Sequence, residues 1–367
     1  MLQKHAIAAV IATCLLALPC FANAQSYSAL DLGDLGEGQS YAYGINASGR
    51  VVGMSYIAAG TYHAFITGAN GIGMADLGTL GGSTSWAFGI NDAGQVAGYS
   101  YSSGGTFRAF ITGANGVGMT DIGTLTGDPN SQARGINASG EVVGASNSNG
   151  VNRAFITGAN GVGMRDLGML SGDTSSVAVG INSSGQAVGV SFDSANNGRA
   201  FITGANGTGI TDTSLLNGIP LYVATAVNAT GQVVGARRTS DNNHAFITGA
   251  NGVGVTTLQP LGVSSVALGI NAAGQVVGSF QTTLGANHAF VTGANGGGIT
   301  DLNSLLSLPN GVYFSVATAI NDFGQIAAHG SNNRTYLLTP VPEPETYVML
   351  LAGLALLGSA IRRRKQA

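Results

Sequence analysis

Two phrases, Gly89-Ile90-Asn91-Asp92-Ala93-Gly94-Gln95-Val96-Ala97-Gly98 and Arg108-Ala109-Phe110-Ile111-Thr112-Gly113-Ala114-Asn115-Gly116, recur in fixed order along the chain. Gly-Ile-Asn stands at 44–46, 89–91, 135–137, 180–182 and 269–271, with degenerate copies at Ala226-Val227-Asn228 and Ala319-Ile320-Asn321. Ala-Phe-Ile-Thr-Gly ends at Gly68, Gly113, Gly158, Gly204 and Gly249; a sixth copy carries Val291, and Tyr336-Leu337-Leu338-Thr339 is a worn seventh. Seven copies at a period of about 45 residues indicate a solenoid or a propeller.

Each unit reads as four short strands. The first carries Asp-Leu-Gly (Asp76-Leu77-Gly78), the second runs through 86–91, the third through 95–98 and the fourth through 108–112. In Asn91-Asp92-Ala93-Gly94 the Asn at the first position and Gly at the fourth suit a type I turn followed by a left-handed glycine. Gly68-Ala69-Asn70-Gly71 places Asn-Gly between two β-runs, a strong hairpin signal. No stretch between the two ends combines helical periodicity with caps, so the body is expected to be all-β.

The order of the strands argues for a closed ring. The first unit opens on the Asp-Leu-Gly strand at 27–33 with no fourth-type strand before it, and the last unit ends on the fourth-type strand at 334–339. Everywhere else these two types are joined through Gly-Ala-Asn-Gly, so the two ends are halves of one missing hairpin. Pairing them removes both exposed sheet edges. The expectation is a seven-bladed β-propeller of four-stranded blades.

One spacing supports that hairpin. His63, Arg108, Arg153, Arg199 and His288 each precede an aspartate, Asp76, Asp121, Asp166, Asp212 and Asp301, by the same interval, whereas His244 meets Thr257. By closure, Arg334 should meet Asp31. The expectation is a ring of cross-strand pairs, each contributing about 0.2–1 kcal/mol.

These units resemble the HAF repeat of bacterial extracellular proteins, on His63-Ala64-Phe65, Asp76-Leu77-Gly78, Gly89-Ile90-Asn91 and Gln95-Val96-Ala97-Gly98. The resemblance covers nearly all of 26–339, within a repeat body of 25–339. Several copies carry Arg in place of His. It implies an extracellular location and little about activity.

Residues 1–24 read as a secretory signal peptide: Lys4 and His5, an apolar run at 6–18, and Ala22-Asn23-Ala24 as the small-x-small site before Gln25. The Sec translocon and signal peptidase are the partners this implies. Both cysteines, Cys14 and Cys20, fall in that segment, so the processed chain has no thiol. At the other end, 340–367, stand Val341-Pro342-Glu343-Pro344-Glu345, a run without charge at 347–361, and Arg362-Arg363-Arg364-Lys365. The apolar run suits a helix of roughly 22 Å, short of a ~30 Å bilayer core. The basic cluster keeps to the cytoplasmic side and leaves the body outside.

This tail resembles the PEP-CTERM sorting signal of Gram-negative bacteria, on Pro342-Glu343-Pro344, the short apolar helix and the basic end. The resemblance implies transient insertion in the inner membrane, removal of the tail by an exosortase-type membrane peptidase, and a host that makes exopolysaccharide, itself a candidate partner. A permanent C-terminal anchor is the alternative.

Charged residues are only 8% of the chain and 59 residues are Gly. Residues 25–340 hold nine Arg, no Lys and fifteen Asp or Glu, a balance of −6 with no basic stripe, so no nucleic-acid partner is expected. No clustered metal spacing or nucleophile motif appears, and no cofactor is expected. The single Trp, Trp86, reads as a packing residue rather than a sugar platform. Irregular insertions at 102–106, 193–198, 236–243 and 281–287 fall between the third and fourth strands, where repeat proteins place binding variation; Arg237 and Arg238 are the candidates there. Asp128, Glu141, Asp173 and Asp193 lie outside the repeat register. Two functions remain: a non-enzymatic structural or adhesive surface protein, or a secreted propeller enzyme acting on polysaccharide.

Overall fold

Seven four-stranded antiparallel sheets follow one another around a central channel, each built from the same run of sequence. The structure, a computed structural model, describes residues 26–213, 221–239, 242–258 and 261–341. The expected leader, with Ala22, Ala24 and Gln25, and the tail from Pro342, Glu343 and Pro344 onward lie outside the described residues. No helix among the described residues is long and apolar enough to cross a membrane. The repeat and turn chemistry thus encode a seven-bladed β-propeller.

Blade 2 is typical. Its innermost strand is Gly81–Ile90, followed outward by Val96–Ser102, Phe107–Thr112 and Met119–Asp121. The blade is therefore offset by one strand from the sequence repeat: the Asp-Leu-Gly strand closes the blade before it. Blade 7 shows the consequence. Its strands Phe314–Ile320, Ile326–Gly330 and Thr335–Val341 are completed by Ser26–Asp31 from the start of the chain. Leu32 N–H donates to Thr335 O at 3.0 Å.

Turn residues do what their types require. Asn91 N–H bonds Gln95 O at 3.1 Å and Gly94 sits at φ 76°, a left-handed conformation that a Cβ would strain. The Gly-Ala-Asn-Gly connection is longer than a two-residue turn: between the paired Thr67 and Met74, Ala69–Gly71 forms a 3-10 turn with Asn70 at φ 53° and Gly71 at φ 74°. It docks on the neighbouring turn, Asn70 N–H to Ser48 O and Gly71 N–H to Gly49 O, both at 3.0 Å. These turns share one face of the ring. Antiparallel connectivity puts the loop between Ser102 and Phe107, and its equivalents, on the other.

The core is not one cluster but seven, one at each junction between blades. The phenylalanine of each Ala-Phe phrase, Phe65, Phe110, Phe155, Phe201, Phe246 and Phe290, is completely buried, and Leu337 takes the seventh place. Each wedges under the next blade or the previous one; Phe110 shares its cluster with Val52 and Ile66 of blade 1. Gly98 makes the room, since a Cβ there would lie 1.9 Å from the Trp86 carbonyl and 2.9 Å from the Phe110 ring.

Candidate functional site

Three sets of side chains repeat around the ring: charged pairs toward the blade edges, asparagines at one channel mouth, and a bulged residue in the channel wall.

The charged pairs form in six blades. His63 Nδ1 lies 2.8 Å from Asp76 and His288 Nδ1 2.8 Å from Asp301. Arg108 reaches Asp121 at 3.0 Å, Arg153 reaches Asp166 at 3.6 Å, and Arg199 reaches Asp212 at 2.9 Å. Arg334 Nε lies 3.2 Å from Asp31 across the chain closure. The contact is diagonal rather than directly across: Asp76 is registered opposite Phe65, two residues beyond His63. Asp31, Asp76, Asp121, Asp166 and Asp301 also work locally, as Asp76 Oδ1 accepts from Gly78 N–H at 2.7 Å. That turn is why Asp-x-Gly recurs.

Three carboxylates outside the register join this network, Asp34 among them through Arg334 at 3.3 Å. Asp128 binds Arg153 at 2.8 Å and Asp173 binds Arg199 at 2.7 Å, with side chains only 4% and 2% exposed. Glu141 accepts from Asn137 Nδ2 at 2.6 Å. Asp193 is held by Asn197 and Ala195; the bonds from Asn197 lead in lowering its pKa. Among the described residues no His, Cys, Asp or Glu group suited to a metal ion occurs.

Blade 5 departs from the pattern. Arg237 and Arg238, expected in an insertion loop, are the last two residues of the strand Val233–Arg238. Arg237 is in register with Leu221 and His244, and its Nη1 donates to Thr257 Oγ1 at 3.0 Å. It thus reaches the position that holds Asp in other blades, so Arg237 is a strand residue and not part of a loop. The ladder with Asn243–Thr248 runs unbroken to Arg238, while on the other side the register shifts between Leu221 and Val223.

Asparagine closes the channel mouth on the turn face. Asn46 Nδ2 donates to Asn91 O, Asn91 to Asn137 O, Asn137 to Asn182 O, Asn182 to Asn228 O, Asn228 to Asn271 O and Asn271 to Asn321 O, each at 3.1 Å. Asn321 returns to Asn46 O at 3.0 Å. Meanwhile each Oδ1 caps its own turn, as Asn91 Oδ1 accepts from Gln95 N–H at 3.0 Å. One side chain serves the turn and the blade junction together. It frames a polar cavity of about 260 Å³.

Further in, every innermost strand carries a bulge. In blade 1, Ala42 and Gly44 are successive partners of Gly53 and Val52, which leaves Tyr43 out of the ladder. The same shift leaves out Phe88, Arg134, Val179, Thr225, Leu268 and Thr318. A bulge re-aims its residue, and all seven line a channel cavity of about 350 Å³. These positions are unlike in chemistry although their flanks are nearly uniform.

Next to this wall lies an aromatic array on blades 1 and 2. Trp86 stacks on Tyr99 at 4.5 Å and meets Tyr62 edge-on at 4.3 Å; Tyr99 stacks on Phe88 at 5.8 Å. Tyr99, half-buried, has its pKa pushed up to about 12, mainly by burial. Arg134 lies over Phe88 at 4.4 Å. Its pKa is lowered by burial, against which Tyr99 and Tyr43 act.

The PEP-CTERM protein-sorting motif matches residues 340–365. No curated protein matches the chain. Among solved structures, the chain is similar to a prolyl endopeptidase (TM-score 0.54, 12% identity, 83% of this chain and 46% of that one). It is similar as well to YCF48 bound to D1 peptide (TM-score 0.53, 13% identity, 89% and 100%). A third is the virginiamycin B lyase from Staphylococcus aureus (TM-score 0.50, 15% identity, 86% and 100%). The chain spans just under half the length of the endopeptidase. At these identities the likeness shows the fold alone. The sorting motif implies an exported protein processed by exosortase.

Proposed function

We propose that the propeller is a non-enzymatic structural or adhesive module of the cell surface or extracellular matrix, built of HAF-type repeats and delivered there through its tail. The sorting motif at residues 340–365 carries this reading. The motif begins on the last strand of the closing blade, Thr335–Val341.

What the side chains do supports a scaffold. Four carboxylates outside the repeat register, those an enzyme would draw on, have structural partners: Asp128 and Asp173 neutralise Arg153 and Arg199, Glu141 continues the asparagine turn, and Asp193 caps its own loop. A catalytic site needs unlike groups converging on one point, and these four belong to separate turns and loops.

The test compares host cells carrying the full chain with cells carrying a chain that ends at Pro340. The full chain should reach the surface or matrix fraction shortened by its tail. The shorter one should be secreted without retention. Purified propeller should bind host polysaccharide without changing its length. Turnover of the glycan, or equal retention of both chains, would overturn the proposal.

A further inference from the structure

Every innermost strand offers the channel one bulged side chain, and blade 3 alone offers a charged one, Arg134. Four of the other arginines, Arg108, Arg153, Arg199 and Arg334, meet aspartate toward the blade edges. Arg134 is half-buried, and its protein contacts are Gln132 Oε1 at 3.0 Å from Nη2 and the Phe88 ring below it. Among the described residues it has no carboxylate partner. A guanidinium carries five donors in a planar fork, and burial without a counter-charge is costly. This arrangement leaves donors facing a cavity in a body of net negative charge.

The rest of the wall defines what fits. Tyr43 lies at 5.0 Å from Phe88, tilted by 33°. Val179 and Leu268 line the same space. The hydroxyls of Thr225 and Thr318 are already donated to main-chain carbonyls of Val234, Ala267 and Ala327. Apolar surface thus outweighs free polar groups. A cavity of about 350 Å³ stands at the lower end of the range for small-molecule sites.

We propose that the channel binds a small monocarboxylate with a flat apolar body, its carboxylate paired two-pronged with Arg134 and its body against Phe88 and Tyr43. Planar two-pronged pairing is the geometry in which Arg and carboxylate match best. The proposal concerns the channel alone, and its failure leaves the sorting reading untouched.

Trp86, the only tryptophan in the chain, reports on the site through Tyr99 and Phe88. Purified propeller is titrated with 3-phenylpropionate, with the uncharged 3-phenylpropan-1-ol and with 3-phenylpropylamine, reading Trp86 emission excited beyond the tyrosine band and, in parallel, calorimetric heat. The acid should saturate the signal and bind roughly tenfold or more tightly than the alcohol, with the amine weaker still. Arg134→Gln should erase the preference for acid over alcohol; Arg134→Lys, which keeps the charge without the fork, should retain part of it. Equal binding of acid and alcohol to the unmodified protein, or saturable binding of neither, would overturn the proposal. This comparison needs no variant, so a misfolded Arg134→Gln does not obscure it.

Discussion

Asn321 Nδ2 donates to the main-chain oxygen of Asn46 at 3.0 Å, joining the seventh blade to the first. The same side chain accepts from Gln325 N–H at 3.0 Å and Phe323 N–H at 3.1 Å. Closure is therefore held at both radii: by the outer strand Ser26–Asp31 at the rim and by this amide at the hub.

Replacing that amide separates its two tasks. Asn321→Ala loses turn and junction together and should destabilise by about 1–3 kcal/mol, the range for stranded buried hydrogen-bond partners. Asn321→Asp keeps the turn acceptor but removes the junction donor and sets an anion against the Asn46 carbonyl. It too should be destabilised, and the same change at Asn182 should cost a similar amount. Urea midpoints at constant slope measure this; an unperturbed Asp variant would mean that the junction bonds contribute nothing.

The charged pairs should differ from one another in weight. His63 and Asp76 are both partly exposed, with side chains 18% and 42% accessible, so His63→Ala should cost about 0–1 kcal/mol. Arg199→Ala strands the buried Asp173 and should cost about 2–3 kcal/mol. Adding Asp173→Asn to it should recover part of the loss, because the uncompensated charge is then gone. Equal costs for His63→Ala and Arg199→Ala, or no recovery in the double variant, contradict this ranking.

Gly98 and Phe110 test the wedge. Phe110 fills a completely buried place between blades, and Phe110→Ala should cost about 3–5 kcal/mol. Gly98→Ala must displace the Trp86 carbonyl or the Phe110 ring. It should lower the thermal midpoint and alter Trp86 emission at once. A Gly98→Ala protein with native midpoint and emission would show that the strand shifts freely there.

Blade number, strand order and closure were legible because each repeat carries its own turn chemistry and the leftover half-hairpins at the two ends have one way to pair. The asparagine ring was also within reach: Asn228 and Asn321 persist in the degenerate copies, where Ala226 and Ala319 replace Gly and Val227 replaces Ile. Nothing local, however, says that an Nδ2 spans two blades. Asp128 and Asp173 were opaque because Arg153 and Arg199 lie 25 and 26 residues away, beyond two further strands. Arg237 looked like a loop residue because it falls in the irregular stretch 236–243 between the third and fourth strands. The channel wall was hidden by the bulge, since strict alternation assigns Tyr43, Phe88 and Arg134 to a face of the sheet that the extra residue re-aims.

His329 makes the first junction sensitive to acid. Its Nε2 lies 3.0 Å from Ala42 N and 2.9 Å from Ala42 O, across the boundary between blades 7 and 1, with the rings of Tyr41 and Tyr43 edge-on at 5.4 and 6.3 Å. Burial pushes its pKa down, and the bond to Ala42 opposes that only in part. The neutral ring is therefore favoured in the fold, while the unfolded chain takes up a proton near the ordinary histidine value of about 6.5. Above that value neither state is protonated and the stabilisation is complete. As pH falls below it and through the lower folded pKa, the unfolded state binds more protons and stability is lost. The urea midpoint of the unmodified protein should therefore fall between about pH 7.5 and pH 5, and more steeply than that of His329→Gln, whose side chain does not titrate. Parallel pH profiles for the two proteins would remove His329 as the cause.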